Sequence, residues 1–388
     1  MFEMLQSIVV FPEQGGAIAR LVYNVLGWLY GGVGSYGLAV ILFALLLRTV
    51  LIPIDFGTKY FTKQNSLRMA EIKPEDDAIR IKYADDPVTM NQKRQELYRK
   101  HGAGAMGGFC LFTILNIVMI FVVFISMFQA LGVISNYNVN NQFLRLQAIH
   151  QEWDGYHDTE EFAEAIRAEY SETRVGFLWV TNVWRPDTPW TARVLDFDQF
   201  RSAISGVSDR ATYGLDAAGM DALRAQYNEI FSHIDDTDRR LNGWLLLILL
   251  AGGATYAGAV ISAKVMARTK PITAKKENEE PEIGYGIRNV KNQAVNDGTK
   301  KPDVPSFDPA QMGKMMKIIM PLVMIGVTMT MTSALAIYII ASSIISTVYA
   351  IGLNVIIDKM LKRKEAKKKE SAPDMTIINP HAKYFKSK

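Results

Sequence analysis

Position 48 is an arginine inside the run ALLLRTVLIP (44–53), which is otherwise free of charge. A guanidinium keeps its proton in essentially any protein environment. Holding one at mid-bilayer depth costs at least about 2.5 kcal/mol. Such a group either reaches water along its alkyl stem or holds an anion through charge-assisted hydrogen bonds. Its chemistry is the capture of negative charge, not bond-making. Polar side chains in other apolar runs could share a wet cavity with it: Thr113, Asn116 and Ser126, then Thr328, Thr330 and Thr332, then Ser342, Ser343 and Ser346. Serine and threonine also pack between membrane helices and bond back to carbonyls. Asn116 is the more telling, because an amide in hydrocarbon needs a partner. A second basic feature is the tail DKMLKRKEAKKKE (358–370), with Lys362, Arg363, Lys364, Lys367, Lys368 and Lys369. It suits anionic lipid headgroups or the phosphates of ribosomal RNA. Signals for catalysis are thin. Cys110 is the one cysteine, and His101, His150, His157, His233 and His381 are dispersed without a metal-ligand spacing. No phosphate loop or nucleophile elbow is present. No enzyme activity, cofactor, metal or small-molecule substrate is expected.

The elements that must position these residues are written in the alternation of apolar and charged segments. The 388 residues are 49% hydrophobic and 21% charged, with a formal net charge of +4. Long apolar runs between very polar stretches indicate an all-α polytopic membrane protein. Five runs come near the roughly 20 residues a span requires: 33–55, 108–133, 242–266, 313–332 and 333–358. After Lys100 the next lysine is Lys264, whereas 56–107, 267–312 and 359–388 are lysine-rich. By the positive-inside rule those three regions face the cytoplasm and 134–241 lies outside, with the N-terminus out and the C-terminus in. The start of the chain fits neither a secretory signal nor a mitochondrial presequence. Within the outer segment 1–32, Leu21, Val25, Trp28 and Leu29 recur at helical spacing, which predicts an amphipathic helix over 17–31 lying on the interface.

Residues 56–107 read as two helices. The first reaches about 83, kinked or interrupted at Pro74. The second is started by Asp86 and Pro87 and stopped by Gly102. Both are charged nearly all round, so the hairpin buries little and projects as a mobile arm, either a solvated connector or a capture device. Lys93, Arg94, Tyr98, Arg99 and Lys100 are its candidate contacts. Trp153, Phe177, Trp179, Trp184, Trp190, Phe197 and Phe200 supply a modest core, or an interfacial surface, for the outer insertion 134–241, and 214–234 has helical spacing. The composition of 267–311 reads as disordered linker. No aspartate or glutamate falls inside the apolar cores of these runs, 33–54, 108–133, 244–265, 315–331 and 334–357, which argues against a proton-coupled transporter or a cation channel.

Several segments resemble the YidC-type membrane protein insertases, bacterial relatives of the mitochondrial Oxa and chloroplast Alb insertases. They are SYGLAVILFALLLRTVLIPI (35–54), which carries Arg48, IRIKYADDPVTMNQKRQELYRKHG (79–102), GGFCLF with the apolar run after it, and SALAIYIIASSIIST (333–347). GFLWVTNVWRPDTPW (176–190) is similar to the aromatic stretch before the family's third core span. Leu111 and Ile117 stand where the family has prolines, and Ser342 and Ser343 where it has asparagines. The chain therefore reads as a divergent five-span bacterial member with an enlarged outer loop.

The resemblance implies five helices around a water-filled groove, open to cytoplasm and lipid and closed outside. Arg48, Thr113, Asn116, Ser342, Ser343 and Ser346 would line it and attract acidic residues of a client. Met320, Met324 and Tyr338 would form the surface along which the client's apolar helix slides into the bilayer. The implied setting is the bacterial plasma membrane. The implied partners are nascent membrane proteins and anionic lipids, with the ribosome and the Sec translocon as cooperating machines. The rival readings are an assembly factor on the same scaffold without insertion activity, and a channel or transporter.

Overall fold

The computed structural model describes residues 9–13, 16–84, 86–205, 207, 217–234, 241–268 and 309–370. Among the described residues the chain forms nine helices: α1 Ala17–Val33, α2 Tyr36–Lys82, α3 Pro87–Glu152, α4 Glu160–Thr173, α5 Phe197–Ile204, α6 Ala217–Ser232, α7 Leu246–Arg268, α8 Pro309–Thr330 and α9 Ser333–Glu370. Four stretches are long and apolar enough to cross a bilayer: Tyr36–Arg68, Ile117–Glu152, Leu246–Val265 and Ser333–Lys364. α8 adds the shorter apolar stretch Ile318–Thr330. The protein is an all-α polytopic membrane protein.

The helices are longer than the apolar runs that seed them. α2 continues through Pro53 and Pro74 and joins the first run to the first half of the hairpin, about 70 Å of helix at 1.5 Å per residue. The expected interruption at Pro74 does not occur. Hydroxyls reinforce the helix around Pro53: Thr49 Oγ1 donates to the Leu45 carbonyl at 2.8 Å and Thr58 Oγ1 to that of Ile54 at 2.9 Å. Membrane helices tolerate proline where such local donors compensate.

α3 begins as expected, with the Asp86 carboxylate accepting from the amides of Val88 and Thr89, both at 3.1 Å, and Pro87 in the first turn. The expected stop at Gly102 is absent, and α3 runs on to Glu152. Ending a helix at the bilayer edge would strand its last carbonyls. Beyond 133 the helix also gains a buried face at Ile134, Asn138, Phe143 and Leu146. α9 likewise passes the expected boundary at 358 and carries the basic tail as helix to Glu370. The expected linker lies largely outside the described residues, as do 371–388.

α2 packs between α3 and α9, α9 packs on α7, and α7 packs on α8. Among the described residues α3 and α8, at the two ends of this series, make no extended contact, though both line one cavity. Glycines let α7 approach its neighbours closely. A Cβ at Gly252 would lie 2.6 Å from the Ile325 side chain, and one at Gly258 2.7 Å from Thr347 Oγ1. α1 buries Val22, Tyr23 and Leu26, while Leu21 and Trp28 of the stripe expected from its spacing are exposed and Val25 and Leu29 are partly buried. Ahead of it, the backbone of Val10 is docked on α3. Its N–H and C=O each bond the Asn138 amide at 2.8 Å.

The segment between α4 and α5 closes the end of the bundle at which α2, α7 and α9 begin. The Trp184 ring lies 4.7 Å from that of Tyr36, and both residues are buried. The Ser333 hydroxyl and amide both donate to the Arg185 carbonyl, at 2.6 and 3.0 Å, and the Ala334 amide donates to the Val183 carbonyl. Asp187 caps α7, accepting from the amides of Trp244 at 2.7 Å and Leu247 at 2.6 Å and from the Trp179 indole at 3.3 Å. Asn242 ties the same loop together through the carbonyls of Asn182, Arg185 and Pro186 and the amide of Asn182. Of the aromatic residues expected in the outer insertion, Trp184, Phe197 and Phe200 are buried, Trp153, Phe177 and Trp179 pack partly, and Trp190 is exposed. Phe143, Phe200 and Tyr227 form the ring cluster between α3, α5 and α6.

One buried ion-pair cluster joins the two hairpin helices. Asp76 is 6% exposed and sits between Arg94 Nε at 2.7 Å and Arg80 Nε at 3.0 Å, with Ile72 and Leu97 buried beside it. Burial raises the Asp76 pKa, but the hydrogen bond from Arg94 and the charges of both arginines outweigh it and hold the carboxyl below its ordinary value of 3.8.

Two outcomes follow for stability. Asp187→Ala strands the α7 amides and lowers unfolding stability in detergent by about 2–4 kcal/mol, measured by denaturant or thermal melts. An unchanged melt would show that the cap is dispensable. For Asp76, a carboxyl whose pKa falls on folding stabilises above its unfolded pKa and loses that contribution as pH drops through the folded value. The distance between spin labels on the two hairpin helices therefore stays sharp at neutral pH and broadens only below about 3.8. Asp76→Asn broadens it already at pH 7.

Candidate functional site

Helical spacing places Arg48, Leu51 and Asp55 on one face of α2, at i, i+3 and i+7. That face borders a cavity of about 200 Å³. α3 contributes Met119, Val123 and Phe124, α7 contributes Thr255, α8 contributes Met324, and α9 contributes Tyr338, Ile339, Ser342 and Ser343. The Arg48 guanidinium is half-buried and donates from Nε to Ser342 Oγ at 2.9 Å. On the far wall Thr255 Oγ1 lies 3.3 Å from Ser343 Oγ and donates to the Ala251 carbonyl.

A second cavity of about 240 Å³ adjoins the first and shares Arg48, Asp55, Thr255 and Ser343 with it. It adds Lys59 on α2, Gly258 and Ser262 on α7, and Ser346, Thr347 and Ala350 on α9. From Tyr338 to Ala350 the two together track about 18 Å of α9. They lead from beneath the closed end toward the hairpin. Charge alternates along the α2 wall: Arg48, Asp55, Lys59. A water occupies about 30 Å³ in the liquid, so each cavity has room for several.

One carboxylate lies just beyond the first apolar run. Asp55 stands one residue past the apolar run, but α2 does not end there, and its carboxyl-bearing face continues that of Arg48. Of the residues singled out in the sequence, Arg48, Ser342 and Ser343 meet in the first cavity, and Ser346 joins them in the second. The Ser346 hydroxyl is buried without a hydrogen-bond partner. Thr113 and Asn116 lie on α3, but their side chains fall outside the described residues. Thr328 is turned inward and spends its hydroxyl on the Met324 carbonyl at 2.8 Å. Met320 is 38% exposed, Met324 lines the first cavity, and Tyr338 is 5% exposed and lines the same cavity from within. Tyr338 is therefore a wall residue rather than part of an outer surface.

The basic residues divide in the same way. In the hairpin, Arg94 is committed to Asp76 and lies 3.4 Å from the Tyr98 hydroxyl, and Lys93 pairs with Glu96 at 2.9 Å. Arg99 and Lys100 are exposed. In the tail, Lys364 Nζ donates to Tyr60 Oη at 3.0 Å, and Asp358 pairs with Lys63, so α9 leans on α2 beyond the apolar zone. Lys362, Arg363 and Lys367 are exposed. The side chains of Lys368 and Lys369 lie outside the described residues. Sequence reading missed Asp55, Lys59, Thr255 and Ser262. The first two lie beyond the apolar run, and the others look like ordinary small residues of a span.

Residues 28–264 match the family model described as the 60Kd inner membrane protein. A membrane protein insertase YidC of Campylobacter jejuni is 32% identical over 114 residues, covering 29% of this chain and 21% of that protein. The YidC of Wolinella succinogenes is 33% identical over 138 residues, 34% of this chain and 24% of its own length. That of Helicobacter pylori is 32% identical over 112 residues, 29% and 20% respectively. The matches span only about a fifth to a quarter of the length of these curated relatives. No solved structure matches the chain. With the family model covering well over half of its length, this chain belongs to the 60Kd inner membrane protein family, the family of the YidC and Oxa insertases.

Proposed function

We propose that this protein is a membrane protein insertase of the bacterial plasma membrane. It draws polar, often acidic, segments of client proteins into the Arg48 cleft and releases their apolar helices into the bilayer. The observation that supports the reading is a guanidinium bordering a largely apolar cavity of about 200 Å³ that α2, α3, α7, α8 and α9 all line, with Tyr36 and Trp184 packed together at the end where α2 begins. The hairpin end faces the cytoplasm in this reading, as the lysine distribution requires.

The energetics favour such a device. A polar segment crossing hydrocarbon loses its hydration. A wet cleft part-way through the membrane shortens the dry path, and Arg48 offers a charge-assisted partner at its head. The Ser342 hydroxyl holds the guanidinium toward the cleft while leaving its terminal nitrogens for a carboxylate. An incoming acidic segment passes Lys59 and Asp55 before it reaches Arg48. The opposite sign of Asp55 favours short segments that travel past it to the arginine. The lack of extended contact between α3 and α8 supplies the lateral way out. Exposed Ile318, Met320, Leu322 and Val323 on α8 form an adaptable apolar flank there. Burying the client helix in lipid then releases about 25 cal/mol per Å² of apolar area, with no nucleotide required. Lys362, Arg363 and Lys367, with Arg99 and Lys100 on the hairpin, are the exposed basic groups for anionic lipid or a translating ribosome.

The test is reconstitution. In proteoliposomes the wild-type protein inserts a single-span client with an acidic N-terminal segment. Arg48→Ala lowers insertion on the order of 10-fold, and Arg48→Lys retains part of it. A client whose segment carries no acid is much less affected. Insertion indifferent to Arg48→Ala across several clients removes the residue assignment. Wild-type protein that inserts nothing supports the assembly-factor reading, and ion or solute flux through the empty protein supports a channel.

A further inference from the structure

Folding gathers two of the five histidines that look dispersed in the sequence. His150 ends α3, His157 lies in the turn that follows, and Glu229 comes from α6. One ligand atom from each lies within 4.8 Å of the others. Glu229 Oε2 is 3.1 Å from His150 Nε2, and Glu229 Oε1 is 3.1 Å from His157 Nδ1. The imidazoles stack with centroids 3.9 Å apart, over the buried ring of Phe162.

The hydrogen bonds around the cluster do not balance for neutral side chains. His157 Nε2 faces the His150 carbonyl oxygen at 2.8 Å, which can only accept, so that nitrogen carries a proton. His157 Nδ1 faces an ionised carboxylate, which also only accepts. A neutral imidazole has one N–H, not two. A metal ion at His157 Nδ1, shared with Glu229, satisfies both contacts with that single N–H. His150 is ordered from behind. Gln147 donates to Gln226 Oε1 at 2.8 Å, which turns the Gln226 amide nitrogen to His150 Nδ1 at 3.3 Å and leaves His150 Nε2 directed at Glu229.

We infer that His150, His157 and Glu229 form a binding site for a divalent transition-metal ion of the zinc type, clipping α6 to the end of α3. Two imidazoles and a carboxylate are the donor set such borderline ions prefer, and they discriminate against calcium and magnesium. Around a tetrahedral ion with metal–nitrogen bonds near 2.0–2.1 Å, neighbouring ligand atoms lie about 3.3 Å apart. The two 3.1 Å contacts run to the two different carboxylate oxygens, so the carboxylate binds through both or turns by one oxygen, and the ligand atoms, already within 4.8 Å of one another, close to that spacing. The His157 Nε2–H bond to a backbone carbonyl is the outer contact that fixes the tautomer of a ligating imidazole. On binding, His150 shifts its proton from Nε2 to Nδ1, and the Gln226 and Gln147 amides turn over together to accept it. The carboxylate faces solvent, so a water completes the coordination.

This inference stands apart from the insertase reading, because no cleft residue takes part. The experiment uses the full chain in nanodiscs, purified on a tag without histidine, stripped with chelator and titrated with Zn2+ and Co2+. One Zn2+ binds per chain, Co2+ gives an intense visible d–d band, and the melting temperature rises by several degrees. His157→Ala and His150→Ala each weaken binding at least about 50-fold, and Glu229→Gln at least about 10-fold. His233→Ala, on the other side of Phe162, changes nothing. Absence of stoichiometric binding by the wild-type chain overturns the site. So does binding that survives the His150→Ala, His157→Ala double substitution. Because the wild-type titration and the cobalt spectrum decide by themselves, a variant that fails to fold does not spare the inference.

Discussion

Hydrocarbon offers no partner to a backbone amide or carbonyl, and this architecture follows from that single constraint. A helix that stopped at the membrane boundary would leave four carbonyls bare. α2, α3 and α9 instead carry on past the apolar zone until their ends can be met by water or by protein. The same need explains the loop between α4 and α5. It brings Asp187, Asn182 and the carbonyls of Val183 and Arg185 to the starts of α7 and α9, where orphan amides would otherwise face lipid. Capping and sealing are thus one device, because the residues that satisfy the helix starts also carry Trp184 onto Tyr36 and shut that end of the bundle.

Closure at one end gives the Arg48 cleft its polarity. The two cavities run together along α9 from Tyr338 to Ala350, away from the end where Trp184 packs on Tyr36. The sequence of charges on α2 refines this. Arg48, Asp55 and Lys59 keep the net charge of the wall small and positive, so the cleft tolerates hydration without a permanent counter-ion locked on the arginine. Ser342 contributes a neutral hydrogen bond that orients the group at little electrostatic expense. A buried carboxylate in its place would have satisfied the charge outright and left nothing for a guest.

The extension of α3 to Glu152 links this machinery to the outer insertion. The same helix that walls the cleft at Met119 and Phe124 supports the ring cluster of Phe143, Phe200 and Tyr227 and ends at His150. Whatever stiffens the insertion at α6 therefore bears on one wall of the cleft through a continuous helix. The hairpin stands in a similar relation at the opposite end, where Asp76 joins its two arms and Lys364 and Asp358 hold α9 against α2.

By itself the sequence determined the class of the protein, its apolar helices, the start of α3 at Asp86 and Pro87, and the oddity of Arg48. Each is a local property: a run length, a cap, or a charge with apolar neighbours. Ser342, Ser343 and Ser346 could be named for the same reason, as polar residues in an apolar helix. What only the tertiary structure decided is which of these meet. Asp55 was invisible as a neighbour of the Arg48 cavity because hydropathy ends the run one residue before it, while the helix continues. Tyr338 changed from surface to wall because facing is set by how α9 packs, not by its composition. The hairpin's arginines looked equivalent until Asp76 claimed Arg94. The His150, His157 and Glu229 cluster had no signature at all, since its third member is brought across from α6 by the packing of an aromatic core. Spacing along a chain reports only contacts made within one helix, and the long-range ones are written in burial.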